Sequence, residues 1–430
     1  MADLPRHTHG APVIGPTLGF VRNPLTFHLE PYRRLGPMYR MHFMGHDQVV
    51  MAGIEANEFV WSPDAPWHHA ATMQPLIENY GDTALVALEG EEHLAKRRRL
   101  GAGMRPRVLA DLTPAIHGLT VERVTEVLDR DVDLLDFCRQ LVVHMQSRSL
   151  FNLRFDAESE TNIHRLEQMS LMAFLLGPAR HAMYRLPRNV RARRQVEALL
   201  EQAVRGRLAE PSDEPDLLSV VVQQLDLDGE EVATDELVME LKELLFAGTS
   251  GGGILLAWSL LFLASRPDWL AELCEELDAF DPAAFNKLHD HPRLLATVLE
   301  VERLRPNGAF FPRLAGRDFT FMGVDVPAGT HVHHAVLVPH FDPEVFDEPE
   351  SFRPERFLVG RDYPSKWASI FGGGPHRCLG APLARHEVAV GLAGILGAAD
   401  LDVEAVSFRA RMGPELVPVE RRVRARFNRR

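Results

Sequence analysis

The stretch Phe371-Gly372-Gly373-Gly374-Pro375-His376-Arg377-Cys378-Leu379-Gly380-Ala381-Pro382 decides the reading of this 430-residue chain. Three consecutive glycines let a backbone approach a flat ligand and turn its N–H groups toward a sulfur. A helical pattern, Leu383 to Leu396, follows at once. Cys378 thus stands just before a helix and beside Arg377, where the dipole and a cation favour thiolate over thiol. A thiolate is a strong, electron-donating metal ligand. Only one cysteine is present here, so a zinc site built on paired cysteines is excluded. Taken alone, such a cysteine reads equally as a buried thiol in a glycine turn.

Composition bounds the rest of the chain. At 46% hydrophobic and 25% charged it can fill a large core, which excludes wholesale disorder. A net charge of -13 argues against a general nucleic-acid binder. Cys138, Cys274 and Cys378 are too few for a disulfide framework, which points to a reducing compartment. Met1 to Gly19 carries prolines and histidines instead of an apolar leader, and no early stretch approaches the roughly 20 apolar residues of a membrane span. A soluble, cytoplasmic protein is expected. Length alone allows about three domains. Yet the prolines and glycines are scattered, nothing repeats and no linker appears, so one domain over 1–430 is expected.

Helical patterns dominate: Ala110 to Leu128, Val132 to Leu150, Asn189 to Gly206, Asp268 to Phe280. Met38 to His42 and Gln48 to Ala52 read as a hairpin, and Phe319 to Val326 and Thr330 to Val338 as further strands. The longest helix is predicted at about 234–265, with Thr234 as N-cap, Asp235 and Glu236 in its first turn, and Arg266-Pro267 as its stop. Its first half sets Leu237, Leu241, Leu244 and Leu245 against Glu236, Glu240, Lys242 and Glu243. Its second half, Ile254 to Ala264, is apolar on all sides and therefore interior. Between them lies Ala247-Gly248-Thr249-Ser250-Gly251-Gly252-Gly253. Each interior glycine costs about 0.5–1 kcal/mol relative to alanine. Either a neighbouring helix packs closely there, or something large lies flat against the backbone.

The cysteine stretch resembles the haem-binding loop of the cytochromes P450, Phe-x-x-Gly-x-x-x-Cys-x-Gly, with every position filled. The likeness spreads. Glu300-Val301-Glu302-Arg303 looks like the family's Glu-x-x-Arg helix. Glu302/Arg305 has the same spacing, but Pro306 favours Glu300/Arg303. Phe352-Arg353-Pro354-Glu355-Arg356-Phe357 resembles its Pro-Glu-Arg-Phe segment. The resemblance implies a mainly α (α+β) P450 fold, a single triangular domain with a long central helix and a small β-rich portion. It implies haem b with Cys378 as axial iron ligand, and a buried ion network of Glu300, Arg303 and Arg356. Its Gly-x-x-His-x-x-x-Arg pattern selects His93 and Arg97 for the haem propionates, with Arg313 and His376 beside them and Phe371, Gly372 and Gly380 shaping the loop. Lys96 and one or two of the adjacent arginines are expected on a solvated face.

One departure matters. Most monooxygenases of the family have Ala-Gly-x-(Asp/Glu)-Thr on the helix over the distal haem face; here Ser250 and Gly251 occupy the acid and alcohol positions. Losing general-acid help costs about 3–5 kcal/mol of barrier unless it is replaced. Thr249 and Ser250 are the candidate water-holders, with Gly248 and Gly251 beside them. A monooxygenase using dioxygen ranks first, a peroxide-using or isomerase/dehydratase enzyme second, and a non-catalytic haem or ligand carrier third. Trp67, Met73, Leu76, Met172, Phe174, Phe246, Ala247, Phe310 and Leu416 stand where the family has pocket walls, which suits a terpenoid, steroid, fatty acyl or polyketide skeleton. Electrons are expected from a separate ferredoxin or flavodoxin with its NAD(P)H reductase, docking on a monomer through basic residues such as Arg97 to Arg99 and Arg377. Arg185, Arg188, Arg191, Arg193 and Arg194 read as a solvated helix face. His331, His333 and His334 read as surface histidines.

Overall fold

Capping and periodicity lay down the helices that carry the argument: α1 (Gln74–Tyr80), α2 (Gly90–Gly101), α3 (Pro106–Glu126), α4 (Leu134–Phe151), α5 (Ala157–Leu176), α6 (Pro187–Ala209), α7 (Thr234–Ala264), α8 (Pro292–Leu304) and α9 (Ala381–Ala398). Asp133 starts α4 by accepting the amides of Leu135 and Asp136, and Asn152 ends it in the left-handed region at φ 53°. Asp156 does the same for α5 through the amide of Ser159. The computed structural model describes residues 4–7, 15–43, 45–229, 231–358, 370–404, 407–412, 416–418, 420 and 422–430. The side chains of Leu175, Asp228, Ser250, Arg411, Met412 and Leu416 lie outside that description.

α7 has 31 residues, which at ~1.5 Å each is about 46 Å. Ala233 occupies its N-cap without a side-chain bond, so the expected Thr234 cap does not form. Its second half is interior, as its composition requires: every residue from Ile254 to Leu263 is buried, Trp258 fully. Its first half differs from the expected two-faced pattern, because Glu240, Lys242 and Glu243 are buried as well.

The chain divides into two compact units, one made of 1–74, 300–378 and 407–419, the other of 75–299, 379–406 and 420–430. The first crossing falls inside α1 and the second inside α8, between Leu299 and Glu300. At these two crossings continuous helix carries the chain across, which leaves no linker for the sequence to show there.

The larger unit is helical, with α7 packed against α4, α6 and α9, and a small sheet in which Arg424–Asn428 lies between Asp131–Asp133 and Asp400–Val403. The smaller unit holds a five-stranded sheet of β1 (Arg6–His7), β2 (Met38–Phe43), β3 (His46–Ala52), β4 (Phe311–Leu314) and β5 (His331–Ala335), in the order β1-β2-β3-β5-β4. β2 and β3 form the expected hairpin, with Met38 opposite Met51. β5 lies between β3, to which it is parallel, and β4, to which it is antiparallel. That interior position corrects the reading of its histidines: His331 is exposed, but His333 and His334 are fully buried. The ring nitrogens of His333 and His28 lie 2.8 Å apart, and His334 Nε2 lies 2.6 Å from Asn57 Oδ1.

Candidate functional site

The cysteine loop belongs to the smaller unit. The Cys378 amide donates to the Phe371 carbonyl at 2.8 Å, closing the loop around a short turn at Gly374–His376. Gly372 (φ +71°) and Gly374 (φ +67°) sit in the left-handed region, where a side chain is strained. Gly373 is small for another reason: a Cβ there would lie 2.4 Å from the Trp61 ring, and one at Gly374 would lie 2.7 Å from the Trp61 carbonyl. The loop is therefore seated on Trp61, a residue that sequence reasoning did not single out and that no motif marks. His376 stacks on His69, with centroids 3.7 Å apart and planes at 15°. Arg377 and Cys378 are exposed, and Gly380 is the N-cap residue of α9.

The ion network also lies in this unit. Arg303 donates through Nε and Nη2 to the two oxygens of Glu300 at 2.8 and 2.9 Å. Arg356 Nε and the Arg353 amide reach Glu300 Oε1 at 3.1 and 2.9 Å. The spare donors of Arg303 go to the carbonyls of His340 and Pro349, both at 2.7 Å, and Phe346 lies under both guanidinium groups. Arg305, from the alternative pair, donates to the carbonyls of Leu304 and Phe408.

Arg313 is buried and donates to the Pro312 carbonyl at 2.8 Å, and among the described residues it has no carboxylate partner. Burial alone pushes its guanidinium down to about 10. A desolvated cation without an anion is costly, and a carboxylate such as a haem propionate would answer it. In the larger unit, α2 presents His93, buried and held below its ordinary range by desolvation and by Arg97. Within the smaller unit, the Cys378 thiol, the Arg313 guanidinium and the His376 imidazole are donors of the kind an iron porphyrin takes.

On α7 the glycines turn out to serve helix packing. A Cβ on Gly248 would meet Gln146 at 2.5 Å, one on Gly252 would meet Val142 at 3.0 Å, and one on Gly253 would meet the Arg139 Cα at 2.9 Å. The partners run backwards along α4, so the two helices are antiparallel and in close approach. Gly248, one of the distal candidates, thus lies against the Gln146 side chain of α4. Gly251 is half-buried; Thr249 is buried, and its hydroxyl donates to the Phe246 carbonyl at 3.4 Å. Gln146 also donates to Glu387 on α9, whose other oxygen accepts from Ser149 at 2.9 Å. Burial pushes the Glu387 carboxyl up to about 8.

Among the surface residues, Lys96, Arg99 and Arg193 differ from expectation. Lys96 is buried, with its ammonium on Glu236 at 2.8 Å, Glu240 at 2.9 Å and the Thr83 carbonyl, and Arg99 bonds Glu240 at 2.6 Å. Neither forms a solvated face. Arg193 is part-buried on Asn79, while Arg185, Arg188, Arg191 and Arg194 are exposed as expected. Phe310 stacks on His333 at 4.0 Å in a cluster with Phe20 and Phe43, and Trp67 packs edge-on to Phe59 and Phe319 while donating to the Val60 carbonyl. Both are half-buried in the smaller unit. Phe246 is buried against Tyr80; Met73, Leu76, Met172 and Phe174 are half-buried, and Ala247 is exposed.

Comparison with known proteins agrees with this donor set. The family model described as Cytochrome P450 matches residues 5–417. The chain belongs to the cytochrome P450 family. Relatives include Putative cytochrome P450 137 of Mycobacterium tuberculosis, 27% identical, covering 84% of this chain and 76% of that protein. Sterol 14alpha-demethylase of Mycolicibacterium vanbaalenii is 25% identical over 90% of this chain and 88% of its own length. Luvungin A synthase CYP716AC1 of Citrus sinensis is 24% identical over 90% and 85%. Among solved structures, "Retinoic acid bound cyanobacterial CYP120A1" superposes with a TM-score of 0.84 at 23% identity, covering 99% of both chains. The fold is the mainly helical P450 fold, and the protein is a haem-binding oxidoreductase of the monooxygenase class.

Proposed function

We propose that this P450, acting as one domain over 1–430 and as a monomer in the cytoplasm, inserts one oxygen atom of dioxygen into a lipophilic small molecule of terpenoid, steroid, fatty acyl or polyketide type. The observation that carries the reading is the closed Phe371–Cys378 loop with its cysteine exposed. Cys378 would hold the iron, and His93, Arg97, Arg313 and His376 the propionates. Haem bound to a thiolate supplies the electron push that favours O–O cleavage. Glu300, Arg303 and Arg356 fix the chain leading into the loop. The half-buried, apolar Met73, Leu76, Met172 and Phe174, with the buried Phe246, support a lipophilic substrate, as do relatives named for a sterol and for retinoic acid.

Proton supply is the part of the reaction this chain handles unusually. The Thr249 hydroxyl spends its proton on the Phe246 carbonyl, leaving lone pairs that accept a water but no proton to pass on. A hydroxyl or carboxylate of the substrate would complete the relay. The same observation favours a second reading, in which peroxide is the oxidant and no relay is needed. Spin-state titration against lipophilic compound classes identifies the ligand. Product is then measured with NAD(P)H plus a ferredoxin or flavodoxin pair, and with peroxide alone. Coupled turnover with the redox pair supports the first reading; faster turnover on peroxide supports the second. Of the basic residues considered for docking, Arg98 and Arg377 are exposed and remain the candidates.

A further inference from the structure

From residue 168 to residue 196 the sequence has no acidic side chain but six arginines, Arg180, Arg185, Arg188, Arg191, Arg193 and Arg194, in a chain whose net charge is -13. The stretch ends α5 at Gly177 (φ +51°), continues as a short helix, Arg180–Tyr184, and opens α6 at Pro187. Two of the arginines are engaged inside the larger unit. Arg180 donates to both oxygens of Glu78 on α1 at 2.7 Å, and Arg193 donates to Asn79 Oδ1 at 3.0 Å. With the Tyr184 hydroxyl on the Pro75 carbonyl at 3.1 Å, these bonds hold the turn to α1.

The other four face outward. α6 buries Asn189, Ala192, Val196 and Leu200, which puts Arg188, Arg191 and Arg194 on its opposite, exposed face; Arg185 is exposed in the turn before it. Arg191 meets Glu158 only at 3.7 Å, with both side chains more than half exposed. Arg185, Arg188 and Arg194 have no carboxylate partner among the described residues. Around them the turn exposes Pro178, Ala179, Ala182, Leu186 and Pro187.

A helix face kept only for solubility mixes both signs of charge. This one carries a single sign and stands beside apolar side chains at the tip of a turn, the composition of a segment that lies at a bilayer interface. Guanidinium forks match phosphate oxygens, and the apolar atoms between them reach the acyl boundary once the headgroups are met. An acidic protein surface would meet the arginines and leave the apolar tip without a role. We propose that the 178–194 turn docks the protein peripherally, from the cytoplasmic side, on an anionic lipid surface. Arg185, Arg188, Arg191 and Arg194 take the headgroup phosphates, and Leu186 and Pro187 take the acyl boundary. The inference does not depend on what the substrate is.

Co-sedimentation of the haem-loaded protein with mixed phosphatidylglycerol–phosphatidylcholine vesicles, and with phosphatidylcholine vesicles alone, tests it. Binding is expected on the anionic vesicles at about 0.1 M salt and is lost at about 1 M, where the screening length falls to about 3 Å. Each arginine near such a surface strengthens binding about fivefold, so Arg185→Gln combined with Arg188→Gln should weaken it about 25-fold by the same arithmetic. Leu186→Asp should weaken it severalfold, whereas Arg107→Gln, at an exposed position of α3, should leave it unchanged. All four positions are exposed, so haem content per molecule should match the wild type. Absence of binding to the anionic vesicles overturns the proposal. So does a double variant that binds like the wild type, an unchanged Leu186→Asp, or an equal loss in Arg107→Gln. Retention on polyglutamate without binding to vesicles assigns the turn to an acidic protein and likewise overturns it.

Discussion

Each unit of this P450 buries a cluster of charges, and the two are built on opposite principles. Around Glu300 the donors outnumber the need: two guanidinium groups and a backbone amide share one carboxylate, and spare N–H groups end on carbonyls. Around Glu243 acids are in excess, with Glu236, Glu240 and Glu243 facing Lys96 and Arg99. The first arrangement ties one carboxylate to fixed donors from three residues and serves as a brace. The second holds a carboxyl whose proton is exchangeable near neutrality. Both clusters carry one unmatched charge; they differ in its sign, an excess of donors in the first and of carboxylates in the second.

Breaking the brace should have the largest effect. Arg303→Leu leaves Glu300 buried without its main partner and is expected to cost about 3–5 kcal/mol of unfolding free energy, read by chemical denaturation, with loss of bound haem. If its stability stays within 1 kcal/mol, by that same arithmetic the brace is dispensable. Next comes the seat of the cysteine loop. Trp61→Ala is expected to cost about 3 kcal/mol and to lower haem retention, whereas Trp67→Ala, half-buried against Phe59 and Phe319, should destabilise while leaving haem content per folded molecule unchanged.

The titratable side is tested by stability against pH. Glu243 and Glu387 are raised to about 7 and about 8, so their contribution is full below about 4.5 and is lost as pH rises through those values. Buried His28 and His386 are lowered to about 3 and about 4, and act oppositely between there and 6.5. Above pH 6.5 only the acids act. Unfolding free energy should then fall toward pH 8 by up to about 1.4 kcal/mol per unit for each proton lost, and Glu387→Gln should remove the part nearest pH 8. The smallest effect is expected in the glycine seam. Gly253→Ala drives a Cβ into the Arg139 backbone and should cost about 1–3 kcal/mol. Gly248→Ala meets only the movable Gln146 side chain and should be near neutral, its clash offset by the roughly 1 kcal/mol alanine gains in a helix. Equal costs would contradict the assigned contacts.

These regions also differ in how far the sequence revealed them. Cys378 and its loop are legible as one contiguous motif, whereas the Glu300/Arg303/Arg356 set is legible only through the family resemblance, since Arg356 lies 56 residues from Glu300. The Lys96 cluster was hidden because its partners lie about 140 residues away, and a charged helix face reads as solvated until another charged face is brought against it. For the glycines of α7, the sequence left packing and ligand approach equally open; the choice needed Arg139, Val142 and Gln146 of α4, which no motif connects to them. His333 and His334 were misplaced because a strand paired on both sides loses the alternation that marks one face as outer. Trp61 carries no signal at all. Its value comes from the loop that sits on it.

Everything assigned to the site depends on the sulfur of Cys378 reaching iron. The direct measurement is the absorption spectrum of purified holoprotein, reduced under carbon monoxide, for the wild type and for Cys378→Ala. The wild type should give the strongly red-shifted band of a thiolate-ligated carbonyl complex, and the variant should lose it. A wild type without that band, or a variant that keeps it, contradicts the account.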